Sequence, residues 1–386
     1  MLKTTLHKLA RRSLGTALAT VAAVGWNSSA SAQEPEPLPP LLDNSAFGSP
    51  ETVFDATGRP CGGWSASIEA LWLKRKTLSS KLLAEERNVE LPGAPVANSL
   101  SINEGSSETE AAWKLTLVRE FDDCSRIEFI YFELNDVPPS GGSGSGSPGD
   151  FGLDYGFQVL GGEGYFLLLG GYYDVFTEFS TDAGDVVGGT YRSDLRNIEL
   201  NYDEVVRRTD SCELSLGVGV RYLHLDENFS LFANEADGTL IDRLDIRASN
   251  HMLGLQLKTG LDVQLSERFS LNAGGKAGLL LNTATQSTSR DVDSRGYSEN
   301  PGAFSESDRD YGVAGVLETS VQVRGELCDN VSVMAGYSVF YLSGLALAPN
   351  QLNESPGTGS PGVDSGGESL YYGPTAGIEI TWGGGR

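Results

Sequence analysis

Six charged side chains stand out because each interrupts a run of uncharged, mostly apolar neighbours. They are Glu69 in SIEALW, Arg221 in VGVRYL, Lys258 in LQLKTG, Lys276 in AGGKAG, Glu318 in VLETSV and Glu379 in GIEITW. Each falls on the polar side of a two-residue alternation, the period of a β-strand with two unlike faces. Long charged groups at similar heights on adjacent strands can line a constriction. Arg221, Lys258 and Lys276 would form a basic arc, facing acidic Glu69, Glu318 and Glu379 across a lumen with a transverse field. The same residues could instead form a lattice of ion pairs that plugs or rigidifies the interior, because buried charges must find partners.

Catalytic signals are sparse. No Walker loop, HExxH, GxSxG or CxxC is present. His224 and His251 lie near strand ends, where a rim hydrolase could use them with a serine, but no fixed Ser or Asp partner is evident. DENFSLFANEAD (226–237) carries Asp226, Asn228 and Ser230 at EF-hand offsets. It lacks the sixth-position glycine and has Asp237 where the loop needs Glu, so no calcium site is expected. The acidic stretch with Asp291, Asp293, Glu299, Glu306, Asp308 and Asp310 reads as a solvated face, or one that favours cations. No metal or cofactor is implied.

Elements long enough to position the charged groups begin at Trp64. Twelve strands are expected, at about 64–75, 110–120, 125–135, 151–161, 165–178, 192–206, 213–226, 246–264, 269–285, 309–325, 330–344 and 369–382. Most exceed the usual five or six residues and match what a tilted bilayer-crossing strand needs. Short connections (121–125, 206–212, 265–269, 326–330) alternate with long ones (76–109, 136–150, 179–191, 227–245, 286–308, 345–368). That segregation describes an antiparallel transmembrane β-barrel with short periplasmic turns and long extracellular loops. Residues 61–386 form this all-β domain.

In such a barrel the greasy face meets lipid and the polar face lines the lumen. Glycine supports this orientation, since Gly217, Gly219, Gly254, Gly260, Gly274, Gly278, Gly312, Gly373 and Gly377 share the polar face, where a concave wall leaves little room. Aromatics form two belts: Trp64, Phe121, Phe269 and Trp382 at the short-turn rim, and Trp72, Trp113, Tyr222, Tyr311 and Tyr341 near the other.

The first 32 residues have a basic n-region (Lys3, Lys8, Arg11, Arg12), an apolar stretch from Leu14 to Trp26 and the box Ala30-Ser31-Ala32, the layout of an export signal. Residues 33–60 are rich in Pro and acids and read as a periplasmic tail. The 386-residue chain carries a formal charge of −24, which argues against nucleic acid as a partner. Outer-membrane lipid and small solutes or ions fit better, and a homo-oligomer is left open. Of the four cysteines, Cys61 and Cys124 would be neighbours if the first two strands pair, and a disulfide is expected there. Cys212 and Cys328 sit two or three strands apart, at about 4.8 Å each, past the roughly 7 Å reach of a bridge unless the turns lean inward.

GWSASIEALWLKR, SLGVGVRYLHLDENFSL, RLDIRASNHMLGLQLKTGLDV and AGYSVFYLSGLAL resemble segments of the outer-membrane β-barrel proteins abundant in Planctomycetes. Those proteins are similar to the pore-forming family of the Legionella major outer-membrane protein. The resemblance covers about 61–382 and implies a porin-like pore or structural barrel in the outer membrane, without a catalytic site. A barrel enzyme at the loop-side rim and a secreted β-sandwich adhesin are the alternative classes.

Overall fold

The computed structural model describes residues 62–77, 82–87, 98–101, 109–121, 125–135, 155–158, 164–168, 179–181, 186–234, 238–292, 303–353 and 362–383. All of them belong to a compact unit, Thr52–Arg386. The leader, the tail, Cys61 and Cys124 lie outside the described residues.

Fifteen strands follow one another: β1 (Gly63–Thr77), β2 (Leu82–Arg87), β3 (Asn98–Ser101), β4 (Thr109–Glu120), β5 (Arg126–Asn135), β6 (Tyr155–Gln158), β7 (Gly164–Leu168), β8 (Phe179–Thr181), β9 (Val186–Thr209), β10 (Cys212–Asn234), β11 (Leu240–Ser266), β12 (Phe269–Val292), β13 (Phe304–Cys328), β14 (Val331–Leu345) and β15 (Gly367–Trp382). A 3-10 turn spans Ala348–Asn353. Ten strands close an antiparallel barrel in the order β1-β4-β5-β9-β10-β11-β12-β13-β14-β15, with β15 returning to β1. β6 pairs with the start of β9 through Tyr155↔Gly189. β2, β3, β7 and β8 form a separate four-stranded sheet.

Among the described residues the barrel wall therefore has ten strands, not the twelve expected. The two that drop out come from FGLDYGFQVLGGEGYFLLLGGYYDVF, and β5 pairs directly with β9 (Phe129↔Leu200). From Tyr165 to Leu169 the run is apolar on both faces, which does not suit a wall strand between two unlike environments. Residues 151–161 do alternate, but their described part, Tyr155–Gln158, pairs with the upper end of β9 beside the wall.

Two-residue turns at Asp210-Ser211, Glu267-Arg268 and Asp329-Asn330 join β9 to β10, β11 to β12 and β13 to β14. They share a rim with the 121–125 connection and with the barrel's two ends, where Trp64 pairs with Trp382. The longer connections leave from the other rim, and three of the expected loops are mostly strand. Within 227–245, β10 runs on to Asn234 and β11 starts at Leu240. Within 286–308, β12 runs to Val292 and β13 starts at Phe304. Within 179–191, Phe179–Thr181 is β8 and β9 starts at Val186.

From Gly325, paired positions lead through Val333, Ile378, Ile68, Leu115, Tyr131, Ile198, Tyr222, Leu253 and Leu281 back to the same strand at Val313. The stagger from 325 to 313 fixes a strand tilt of roughly 40° on ten strands.

Candidate functional site

The alternation has two phases, and the change between them organises the lumen. Below Tyr222, β10 turns Leu216, Val218 and Val220 outward, and they are exposed, while Glu213, Ser215 and Arg221 point in and are buried. Above Tyr222 the faces exchange character. Leu223, Leu225 and Phe229 point inward and are fully buried, while His224, Asp226 and Asn228 face out. β11 does the same, with exposed Leu253, Leu255 and Leu257 below and buried Met252, Ala248 and Ile246 above. An interior opposite an apolar exterior can be wet and charged, and one opposite a polar exterior can be dry, because each strand keeps one face of each kind.

Three layers fill the described lumen. Next to the short-turn rim is a polar cavity of about 1180 Å³, lined from Ser65, Thr381 and Asn330 up to Glu69, Lys258, Lys276 and Glu318.

An ion-pair layer closes this cavity. Arg221, fully buried, reaches Glu199 at 3.2 Å and Glu318 at 3.0 Å. Its Nε donates to Asn197 Oδ1 at 2.7 Å, and its guanidinium lies 4.9 Å from the Phe340 ring centroid. Lys276 lies 2.9 Å from Glu199 and 3.4 Å from Glu318. Lys258 lies 2.7 Å from Glu128 and 2.6 Å from Asp203. Gln256 Nε2 donates to Glu199 at 2.8 Å and to Asn201 Oδ1 at 2.6 Å. Glu69 pairs with Lys114 at 2.7 Å, and Glu379 with Arg324 at 2.8 Å.

Above these charges comes a dry layer. Leu73, Phe132, Leu134, Leu195, Leu223, Leu280, Val316, Phe340, Leu342 and Tyr371 are all buried and form one cluster with Leu345 and Leu347. The chain leaving β14 turns into this layer at Gly344, which has φ +76°. There Asn250 Nδ2 donates to Ala346 O at 2.8 Å, and Ala346 N donates back to Asn250 Oδ1 at 2.8 Å. Asn282 Nδ2 donates to Gly344 O at 3.0 Å, and Ala348 N donates to Glu227 Oε2 at 2.8 Å. Glu227 also pairs with buried Arg75, which donates to Ser369 Oγ at 2.9 Å. Burial pushes the adjacent Tyr191 hydroxyl well above the usual tyrosine range, with Glu227 adding to the effect.

All six charged residues singled out in the sequence point into this lumen. Arg221, Lys276 and Glu318 meet directly. Lys258 joins them through acids of β5 and β9, and Glu69 and Glu379 sit in separate pairs. Acids and bases interleave, so the two opposed arcs are not what the side chains form. The acids that complete the network, Glu128, Glu199 and Asp203, were missed. Glu199 and Asp203 have a signal in RNIELNYDEV (196–205), where Asn197, Glu199, Asn201 and Asp203 share one face.

The belt residues are outward. Trp64, Trp72, Trp113 and Trp382 are 40–44% exposed, and Phe269 and Tyr311 are exposed too. Tyr222 and Tyr341 are half-buried. His224 and His251 pair across β10 and β11, with rings stacked at 4.2 Å. Ser249 Oγ (3.3 Å) and Asp226 Oδ2 (3.0 Å) both approach His224 Nε2. Cys212 and Cys328 are unbridged, and 226–234 is strand.

No protein-family model matches the chain, and no curated protein matches it. Among solved structures it is similar to the outer-membrane protease OmpT of Escherichia coli, at 12% identity and a TM-score of 0.43, covering 83% of this chain and 97% of that one. It is also similar to the toluene transporter TodX of Pseudomonas putida (9%, TM-score 0.28, 83% and 89% covered) and to a FadL homologue of Pseudomonas aeruginosa (11%, TM-score 0.26, 85% and 91% covered). All three likenesses are remote, and the ten-stranded closure rests on this chain's own strand pairing.

Proposed function

We propose that the protein is an outer-membrane β-barrel whose lumen is shut in this conformation, serving the envelope as a structural barrel rather than an open sieve. The observation that carries the membrane reading is the exposed aliphatic band. Leu255 is 71% and Leu281 74% exposed, and the outward face of β11 is mostly apolar from Leu253 to Leu265. At about 3.4 Å per residue and a tilt near 40°, that run is roughly 30 Å tall, the thickness of a hydrocarbon core. A soluble sandwich adhesin would bury such a band.

The structural role is supported by the paired charges and by the buried apolar layer above them. The polar cavity favours a second reading, that of the resemblance to the planctomycete and Legionella proteins. In it the same barrel passes small solutes or ions once the dry layer parts. A rim hydrolase fits the geometry poorly. A serine–histidine–acid relay needs the serine and the acid on different ring nitrogens, and Ser249 and Asp226 converge on His224 Nε2.

The membrane reading is tested with vesicles containing brominated lipids. All four tryptophans beyond the leader lie on the outer face, so their emission is strongly quenched if the barrel spans the bilayer. Emission unchanged by bromination would defeat it.

A further inference from the structure

The outer wall above the apolar band has an unusual composition. On β10–β13, four cross-strand rows run from His224–His251–Thr283–Tyr311 up to the row from Ser230 to Ser305. These outward positions hold no Lys, no Glu and no aliphatic residue; Ser and Thr dominate. The chain has 52 acidic residues, yet this face carries only Asp226 and Asp245. Asp226 is paired with His224, and Asp245 with Arg243 and Ser230. A wall meeting only water would be expected to share the chain's acid excess.

We propose that this face holds the oligosaccharide headgroup of a glycolipid in the outer leaflet, an inference that rests on the membrane reading. Continuity comes first: the face stands directly on the apolar band, so whatever covers it is attached to the lipid beside the barrel. Height comes second. The four rows rise six residues past His224, to Ser230, which is about 16 Å higher after tilt. The polar zone of a phospholipid leaflet is only about 5–7 Å deep, and a sugar chain reaches further. Chemistry comes third. Serine and threonine hydroxyls both donate and accept, as sugar hydroxyls do. Arg247 and Arg309 offer forks for phosphate or acidic sugars. Tyr311, 71% exposed at the base, gives an aromatic face.

The test uses the full mature chain reconstituted in vesicles and then extracted into detergent for native mass spectrometry. Three probes are compared: rough-type lipopolysaccharide with core sugars, lipid A without them, and phosphatidylglycerol. The sugar-bearing probe is expected to be retained at least about tenfold better than the others. Arg247→Glu with Ser287→Glu should remove that preference while heat-modifiable migration stays normal. If this pair misfolds, Thr285→Glu on the same face gives the same reading. Insertion with equal retention of all three probes, or variants that keep the preference, overturns the inference alone. Failure to insert overturns the membrane reading beneath it.

Discussion

Leu257→Arg separates lipid from water outside the wall. Leu257 is 65% exposed, points outward near the middle of the β11 band, and sits between Val218 and Ala277 on the neighbouring strands. No cavity forms and no hydrogen bond is lost, so the cost depends on the medium. In a bilayer, arginine near the midplane of a barrel's outer face costs about 2–4 kcal/mol, roughly a 30- to 700-fold change in the folding equilibrium at about 1.4 kcal/mol per tenfold. In water the same exchange at an exposed site stays within about 0.5 kcal/mol, and an added positive charge suits a chain of net charge −24. The assay is reversible denaturant unfolding in phospholipid vesicles, followed by tryptophan emission. Ser287→Arg, outward but above the band, is the matched control and should stay within about 0.5 kcal/mol. Equal stabilities for Leu257→Arg and Ser287→Arg would refute the claim that the band meets lipid.

Arg221→Met should destabilise the folded barrel by about 3–5 kcal/mol, because it strips a buried cation from Glu199 and Glu318. Adding Glu199→Gln should return part of that loss, and a strictly additive double-mutant cycle would show that the pairs are not coupled. Gly373→Ala places a Cβ into the Trp72 carbonyl, whereas Gly312→Ala meets nothing within 4 Å. The first should lower stability by about 1–3 kcal/mol, as overpacking does, and the second should be near neutral in the same unfolding assay. Cys328, exposed on the short-turn rim, should resist a membrane-impermeant maleimide in intact cells and react once the outer membrane is permeabilised; labelling in intact cells would reverse the orientation.

The two-faced pattern of the wall was legible because alternation is a local property. LGLQLKTGLDVQL states its two faces without reference to any other strand. Ten of the twelve expected strands, the segregation of short turns and the inward direction of the six charges follow from it. What failed depended on distant pairing. Counting 151–161 and 165–178 as wall strands separated β5 from β9, so Glu128 could not be placed beside Asp203 and Lys258. The filled lumen was missed for a different reason. In YLHLDENFSLF the apolar residues pass from even to odd positions after Tyr222, and a strand ended at Asp226 hides that change. Read on to Asn234, the same parity puts Leu223, Leu225 and Phe229 inside, where they occupy the space an open pore would need.

Planar-bilayer recording of the purified barrel tests the closed lumen most directly. The ion-pair layer and the dry layer above it predict insertion without steady conductance steps. Long-lived, ohmic single-channel steps from the wild-type barrel would contradict the account.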